Sequence, residues 1–182
     1  MKKLYFTRHG QTIWNVENKI CGATDIALTQ LGHEQAVELG RLIAEGNYEI
    51  DEILYSPLIR AAETARHIHE ETGIPMRMEP RLKEQNFGKW ESTPRDGAEF
   101  RADKAQFANH YEGGESMLQM AQRIYNLLDD IRREPEDRTY LLVAHNGIAR
   151  IVQSYFYDMT NEEFAVFGIR NCQILEYGFH FP

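Results

Sequence analysis

The sequence predicts a three-layer α/β/α fold, in which helices cover both faces of a mostly parallel central sheet and a small insert forms a lid. Strand-like and helix-like segments alternate along the 182 residues, as in layered α/β domains. The run at residues 140–144 is apolar throughout, which is typical of a parallel strand buried on both faces. The length suits a single domain over residues 1–182, and 42% hydrophobic with 26% charged residues is an ordinary globular composition.

The first strand–helix unit occupies the amino-terminal quarter of the chain. Residues 3–7 are predicted to form a strand that ends in the loop beginning Arg8-His9-Gly10. After a polar, turn-rich stretch, Thr29 is predicted as the N-cap of a helix, because apolar residues recur behind it at helical spacing. Gly46 and Asn47 are predicted to end this helix.

The second unit begins with a predicted strand at residues 52–55 and continues through Ser56-Pro57 into a helix. Apolar residues share one face of this helix, and Gly73 is predicted to close it. The pattern then becomes irregular and rich in glycine, proline and charge. Residues 85–112 of this stretch are predicted to form the lid-like insert.

The remaining elements return to a regular pattern. A long helix is predicted from Met117 to just before Pro135, since apolar residues repeat at steps of four and three. The buried strand at residues 140–144 ends at His145-Asn146-Gly147 and leads into another helix. Residues 173–177 are predicted as the last strand, at an edge of the sheet.

Charge and cysteine content exclude several classes of protein. A net charge of −8 argues against nucleic-acid partners, whose binding needs clustered Lys and Arg. No segment approaches the roughly 20 apolar residues of a membrane span. Cys21 and Cys172 do not have C-x-x-C spacing and are too few for a disulfide framework. We therefore expect a cytoplasmic monomer or homodimer that binds neither nucleic acid nor membrane.

Three predicted strands end in side chains that suit a phosphate group. Arg8 and His9 follow the first strand, Arg60 lies just after the second, and His145 follows the buried strand. In open α/β sheets, ligands bind beyond the carboxyl ends of the strands. We therefore expect these residues to converge.

Each requirement of phosphate-ester chemistry has a candidate residue. The reaction needs charge neutralisation, an in-line nucleophile and a proton for the leaving oxygen. Arg8 and Arg60 offer planar guanidinium forks that match phosphate oxygens. His9 offers a neutral imidazole as nucleophile, and a bound dianion would favour His145 as a cation. Glu84 is the candidate acid.

Five motifs follow one another between residues 4 and about 150. They are LYFTRHGQTIWN with the continuation Asp25, Leu28-Thr29 and Gly32; Ser56-Pro57-Leu58 with Arg60-Ala61 and Thr64-Ala65; Glu84 with Phe87-Gly88 and Trp90-Glu91; Gly113-Gly114-Glu115-Ser116; and Val143-Ala144-His145. Together, and in this order, they resemble the histidine phosphatase superfamily, the phosphoglycerate mutase-like proteins, and especially its phosphatase branch.

The resemblance implies a role for each matched residue. His9 would become phosphorylated, Arg8, Arg60 and His145 would hold the phosphoryl group, and Glu84 would protonate the departing alcohol and then activate water. No metal or other cofactor is implied. The predicted phosphate- and substrate-binding set is Arg8, Arg60, His145, Asn15, Gln11, Thr12, Cys21 and Gly22.

A metal site is also not expected from local spacing. His67 and His69 are two residues apart, so on a helix they point to different faces. Two positions depart from the family pattern, which usually has glycine where Asn146 and Ser92 stand. We expect the change at Asn146 to be absorbed, because asparagine tolerates a left-handed backbone.

Three functions remain open. Hydrolysis of a small phosphorylated metabolite is favoured, because the insert is modest and the mutases of the family resemble longer chains. A phosphoglycerate-type phosphomutase and an inactive phosphate-binding module are the alternatives. The insert contributes residues that either contact the rest of the substrate or form a solvated surface: Arg95, Arg101, Lys104, His110 and Tyr111.

Overall fold

The computed structural model describes residues 2–179 and contains a five-stranded sheet. The strands are β1 (Lys3–Arg8), β2 (Glu52–Tyr55), β3 (Met76–Met78), β4 (Tyr140–Ala144) and β5 (Ile174–Gly178). Their order in the sheet is β3-β2-β4-β1-β5. Neighbouring strands are parallel except at the β1–β5 edge, which is antiparallel. The mostly parallel sheet and the edge position of the last strand are confirmed.

Helices lie on both faces of this sheet. They are α1 (Ile13–Val16), α2 (Gln30–Glu45), α3 (Ile59–Thr72), α4 (Ala98–Lys104), α5 (Met117–Arg133), α6 (Asn146–Phe156) and α7 (Asn161–Val166). No helix between residues 2 and 179 is long and apolar enough to cross a membrane.

Alternate side chains of the central strands divide the core into two clusters. Leu4 and Phe6 of β1 pack in the cluster that contains the apolar faces of α5 and α6. Tyr5, between them, packs in the cluster of α2 and α3. Successive side chains of a strand point to opposite faces, so one buried strand supplies both layers. The three-layer prediction is confirmed.

Several helix ends fall where local chemistry places them. The Thr29 hydroxyl accepts a hydrogen bond from the Gly32 amide at 3.0 Å and caps α2, which ends at Gly46. Gly73 ends α3 with φ of 72°, a left-handed conformation that costs glycine little. Ser116 forms a capping box at the start of α5.

The structure also contains elements that the sequence pattern did not predict. The edge strand β3 is only three residues long, and α7 only six. The insert is more ordered than expected, because α4 and a 3-10 turn at Gly88–Trp90 are joined by contacts among Phe87, Trp90, Phe100 and Tyr111.

The two departures from the family pattern have different structural outcomes. Asn146 is the first residue of α6 and has no left-handed backbone, so the expected tolerance is not needed there. Ser92 is the position that takes a positive φ, of 68°. The change at Asn146 is therefore accommodated without a left-handed backbone, and Ser92 is the departure at which the turn after Trp90 requires one.

Candidate active site

The loops after β1, β2 and β4 leave the sheet side by side. The His9 amide donates to the Ala144 carbonyl at 3.0 Å, and the Ser56 amide donates to the Val143 carbonyl at 3.0 Å. This parallel pairing brings the ring centroids of His9 and His145 to 5.2 Å. Residues that are far apart in the sequence therefore meet at the carboxyl edge of the sheet.

His9 is held in one tautomer. Its Nδ1 lies 2.7 Å from the Gly10 carbonyl oxygen, which can only accept, so Nδ1 carries the proton and Nε2 keeps its lone pair. Burial, followed by the charges of Arg60 and Arg8, lowers the pKa of His9 well below 6.5. The imidazole is therefore neutral near pH 7, and a neutral Nε2 is the form that can act as a nucleophile.

The loop that carries His9 is fixed from two sides. The Gly10 amide donates to the Thr64 hydroxyl of α3 at 3.0 Å. The Asn171 side-chain amide donates to the His9 carbonyl at 2.8 Å. Neither Thr64 nor Asn171 was assigned a role from the sequence, since both act through backbone atoms that only the fold brings near.

Buried nitrogen atoms without a hydrogen-bond partner belong to residues near this loop. Within residues 2–179, three buried side-chain polar atoms have no hydrogen-bond partner: Nε of Arg8, Nε of Arg60 and Nδ1 of His145. A buried donor without an acceptor costs about 1–3 kcal/mol. All three atoms belong to residues predicted to hold a phosphoryl group, whose oxygens are acceptors.

The two arginines are anchored by carbonyl groups. Arg60 is completely buried and donates through Nη1 to the Thr24 carbonyl at 2.8 Å and through Nη2 to the Gly22 carbonyl at 2.6 Å. Arg8 donates through Nη1 to the Ile169 carbonyl at 2.9 Å. Burial and the neighbouring charge of Arg95 lower the pKa of Arg8 to about 10. No carboxylate of residues 2–179 forms an ion pair with Arg8 or Arg60, so both charges remain available to an anion.

Glu91 supports the anchor of Arg60. Its carboxylate accepts from the Gly22 amide at 3.0 Å, the Ala23 amide at 2.9 Å and the Thr24 hydroxyl at 2.8 Å. These contacts fix the turn whose carbonyls bind Arg60. The sequence placed Glu91 in a motif but gave it no role.

Glu84 is nearly buried and lines the pocket beside His9. Its Oε2 accepts from the Gly147 amide at 2.9 Å, and its Oε1 accepts from the Gln85 amide at 2.8 Å. A Cβ at position 147 would clash with the Glu84 carboxylate, so only glycine permits this approach. The glycine after Asn146 therefore serves to orient the candidate acid.

His145 is completely buried and, like Arg60, lies behind the residues that line the pocket and is not among them. Its Nε2 lies 2.6 Å from the Ser56 hydroxyl, which itself accepts from the Leu58 amide at 3.3 Å. If Ser56 donates to Nε2, the proton of the neutral ring lies on Nδ1, the unpaired atom. Burial and the charge of Arg60 lower the pKa of His145 well below 6.5. The predicted cationic form would therefore require the charge of a bound phosphate.

The remaining predicted binding residues fall into two groups. Asn15 and Cys21 line the pocket, and burial raises the pKa of the Cys21 thiol to about 11, which makes it a poor nucleophile. Gln11, Thr12 and Gly22 are not among the lining residues. The Gln11 side chain accepts from Thr29, and Thr12 caps α1, which carries Asn15. Direct phosphate contact by Gln11, Thr12 or Gly22 stays a prediction.

The insert divides its candidate residues. Arg95 and Lys104 line the pocket, whereas Arg101 and His110 are exposed. Tyr111 is buried with Phe87 and Phe100. Arg101 and His110 therefore belong to the exposed surface, and Tyr111 belongs to neither alternative, whereas substrate contact by Arg95 and Lys104 stays a prediction.

Arg150 of α6 also lines the pocket and was missed. It is 6% exposed, between the fully buried Ala149 and the 1% exposed Ile151. A charged residue inside an apolar stretch of helix was the available signal. Arg150 and burial together lower the pKa of Lys104 to about 8, with burial the larger cause.

Comparison with known proteins gives consistent matches over nearly the whole chain. The family model described as histidine phosphatase superfamily (branch 1) matches residues 4–180. Proteins named probable phosphoglycerate mutase GpmB from Erwinia tasmaniensis and Yersinia pestis are 32% identical over 181 residues, which cover 96% of this chain and 83% of each relative.

Two solved structures are similar in fold. A mycobacterial glucosyl-3-phosphoglycerate phosphatase in complex with VO3 has a TM-score of 0.86 at 28% identity, covering 100% of this chain and 93% of that chain. A putative α-ribazole-5'-P phosphatase from Escherichia coli has a TM-score of 0.82 at 25% identity, covering 97% and 90%.

Proposed function

The chain belongs to the histidine phosphatase superfamily, and on that premise we propose that it hydrolyses a small phosphate monoester through a phosphohistidine at His9, without a metal ion. The observation that carries the proposal is the set of three buried side-chain nitrogens without a hydrogen-bond partner, on Arg8, Arg60 and His145, near a neutral imidazole. Such a group is complementary to the oxygens of one phosphoryl group and to an in-line attack on its phosphorus.

The first half-reaction transfers the phosphoryl group to His9. Nε2 attacks phosphorus, the bond to the ester oxygen breaks, and the alcohol leaves with a proton from Glu84. Arg8 and Arg60 balance the charge that builds on the oxygens, because carbonyl anchors leave their charge unneutralised. Their fixed guanidinium groups supply the electrostatic stabilisation that a metal ion provides in other phosphatases.

The second half-reaction returns the imidazole to its starting state. Glu84, now a carboxylate, accepts a proton from water as the water oxygen attacks phosphorus. The N–P bond breaks and inorganic phosphate leaves. The contacts from Gly147 and Gln85 hold the carboxyl group in one orientation through both steps.

Hydrolysis is favoured over phosphoryl exchange because the insert at residues 85–112 is modest in size, whereas a mutase needs a lid that keeps water from the phosphohistidine. Two solved structures of similar fold are those of proteins named as phosphatases. Cationic side chains beyond the phosphate site, on Arg95, Lys104 and Arg150, suit a substrate that is a small, charged metabolite. A cytoplasmic location and a monomeric or homodimeric state remain predictions.

The test is a screen of phosphate monoesters followed by trapping of the phosphoenzyme. We expect release of inorganic phosphate, a phosphoenzyme that is labile in acid and stable in base, and no loss of activity in EDTA. Exchange between phosphoglycerate isomers without phosphate release would identify a mutase instead. Binding of phosphate with no turnover of p-nitrophenyl phosphate at any pH would identify an inactive binding module. A large EDTA loss that metal restores would contradict the metal-free mechanism.

A further inference from the structure

Two histidines and a glutamate from separate helices meet on the α2–α3 face. His33 lies in the first turns of α2, and Glu63 and His67 lie one turn apart on α3. Nδ1 of His33 is 2.8 Å from Nε2 of His67. One ligand atom from each of the three residues lies within 4.8 Å of the other two. None of these residues has a part in the phosphate chemistry.

The contacts of the two rings indicate which nitrogen of each carries the proton. Oε2 of Glu70 is 3.5 Å from Nδ1 of His67, which favours the proton on Nδ1 and a lone pair on Nε2. His33 then donates from Nδ1. A cation between the two rings would take the place of that proton, which moves to Nε2 of His33 as the ring changes tautomer. A carboxylate behind a ligating histidine is a common support of metal sites.

Glu63 keeps one carboxylate oxygen for a metal ion. Arg66 binds Oε2 of Glu63 at 2.6 Å, which leaves Oε1 for another partner. This pairing lowers the pKa of Glu63, so the group is a carboxylate. Burial and the charge of Arg66 lower the pKa of His67, so its ring is neutral at pH 7. Metal ligands must be unprotonated in this way.

The two helices that carry these residues are fixed to each other and to the His9 loop. A Cβ on Gly32, beside His33, would clash with the Gln11 carbonyl, and Thr64, beside Glu63, accepts from the Gly10 amide. The ligands therefore come from rigid elements, which reduces the cost of ordering them around an ion.

We propose that His33, Glu63 and His67 bind one divalent transition-metal ion, with water at the fourth position. Two imidazoles and one carboxylate form a set that suits Zn²⁺ and accepts Co²⁺, Ni²⁺ and Cu²⁺. The site bridges α2 and α3 and takes no part in phosphate transfer, so the proposed metal-free mechanism is unaffected. The sequence does not predict this metal site. The nearest histidine to His67 along α3 is His69, which points to a different face, whereas the structure brings His67 against His33 of α2.

The test measures metal binding, without turnover. EDTA-treated protein is titrated with Zn²⁺, and melting temperature is recorded with and without the ion. We expect one site per chain and a higher melting temperature with Zn²⁺. His33→Gln, His67→Gln and Glu63→Gln should each weaken binding at least about tenfold, as is typical for the loss of one ligand or its support.

The control is His69→Gln, which changes a neighbouring histidine of α3 whose Nδ1 contacts the Ile74 carbonyl, and it should bind as the wild type does. The Co²⁺ complex should lack thiolate absorption, which excludes Cys21 and Cys172 as ligands. Circular dichroism checks that each variant is folded. Absence of a saturable site, or wild-type affinity in the folded His33→Gln and His67→Gln variants, would show that the two histidines form only a packing contact.

Discussion

The carboxyl edge of the sheet, called the sheet end below, carries the proposed phosphate site. It and the insert at residues 85–112 hold their cationic side chains in different ways. Arg60 is completely buried, and carbonyls fix its two terminal nitrogens. Lys104, on α4, is only half-buried, and its ammonium forms no hydrogen bond or ion pair within residues 2–179. The first cation is held by two carbonyl groups, whereas the second has no such anchor within the described residues and has a pKa of about 8.

The anchored and the unanchored cations suit two different tasks, chemistry on phosphorus and recognition of the rest of the substrate. Chemistry on phosphorus requires charges that are already in place, because reorganisation during the reaction would raise the barrier. Recognition of the rest of a substrate tolerates a side chain without a fixed anchor, which adapts to its ligand. We therefore expect changes at the sheet end to act on kcat, and changes in the insert to act on KM.

The largest effect is expected at His9. His9→Ala removes the nucleophile and should lower kcat on p-nitrophenyl phosphate by roughly 10⁴-fold or more. The phosphoenzyme should disappear, while circular dichroism and melting temperature remain close to those of the wild type, because His9 lies on a loop. His69→Gln serves as the control and should keep full activity. Comparable turnover by the His9 variant would contradict the covalent route.

A smaller effect, which depends on the substrate, is expected at Glu84. Glu84→Gln keeps the shape of the side chain but cannot donate a proton to the leaving oxygen. Alkyl phosphates should lose about 10²-fold in kcat/KM, whereas aryl phosphates, which leave without a proton, should lose much less. The measurement is kcat/KM for a series of esters that differ in leaving-group pKa, because kcat also includes the attack of water, in which Glu84 acts on every ester alike. Equal losses across the series would assign the acid to another residue.

The smallest effect is expected in the insert and should depend on pH. Lys104 loses its proton as pH rises through about 8, so KM for an anionic ester should increase between pH 7 and 9. Lys104→Met should raise KM at pH 7 about fivefold and remove this rise, while Lys104→Arg, which stays charged, should keep KM low.

Lys89→Met is the matched control, because Lys89 is an exposed lysine of the same insert that does not line the pocket. Its kinetics should match those of the wild type. A change in kcat with constant KM in the Lys104→Met variant would contradict the hypothesis that the insert acts on substrate binding and the sheet end on the chemical step.

The sequence by itself determined the layered fold and the residues at the strand ends. The apolar run at residues 140–144 and the caps at Thr29, Gly46 and Gly73 are local features, read from neighbours along the chain. Because parallel strands end at one edge, Arg8, His9, Arg60 and His145 could be expected to converge. The short elements β3 and α7 were missed because a few residues do not establish a period.

Only the tertiary structure decided which other side chains meet. Arg150 lines the pocket although its neighbours along α6 are buried in the core, and Gly147 gives room to Glu84, which approaches from a distant segment. His33 and His67 meet because two separate helices pack with a particular register. The physical reason is the same in each case: patterns along the chain report on local conformation and burial, whereas contacts between elements depend on packing geometry that no single segment contains.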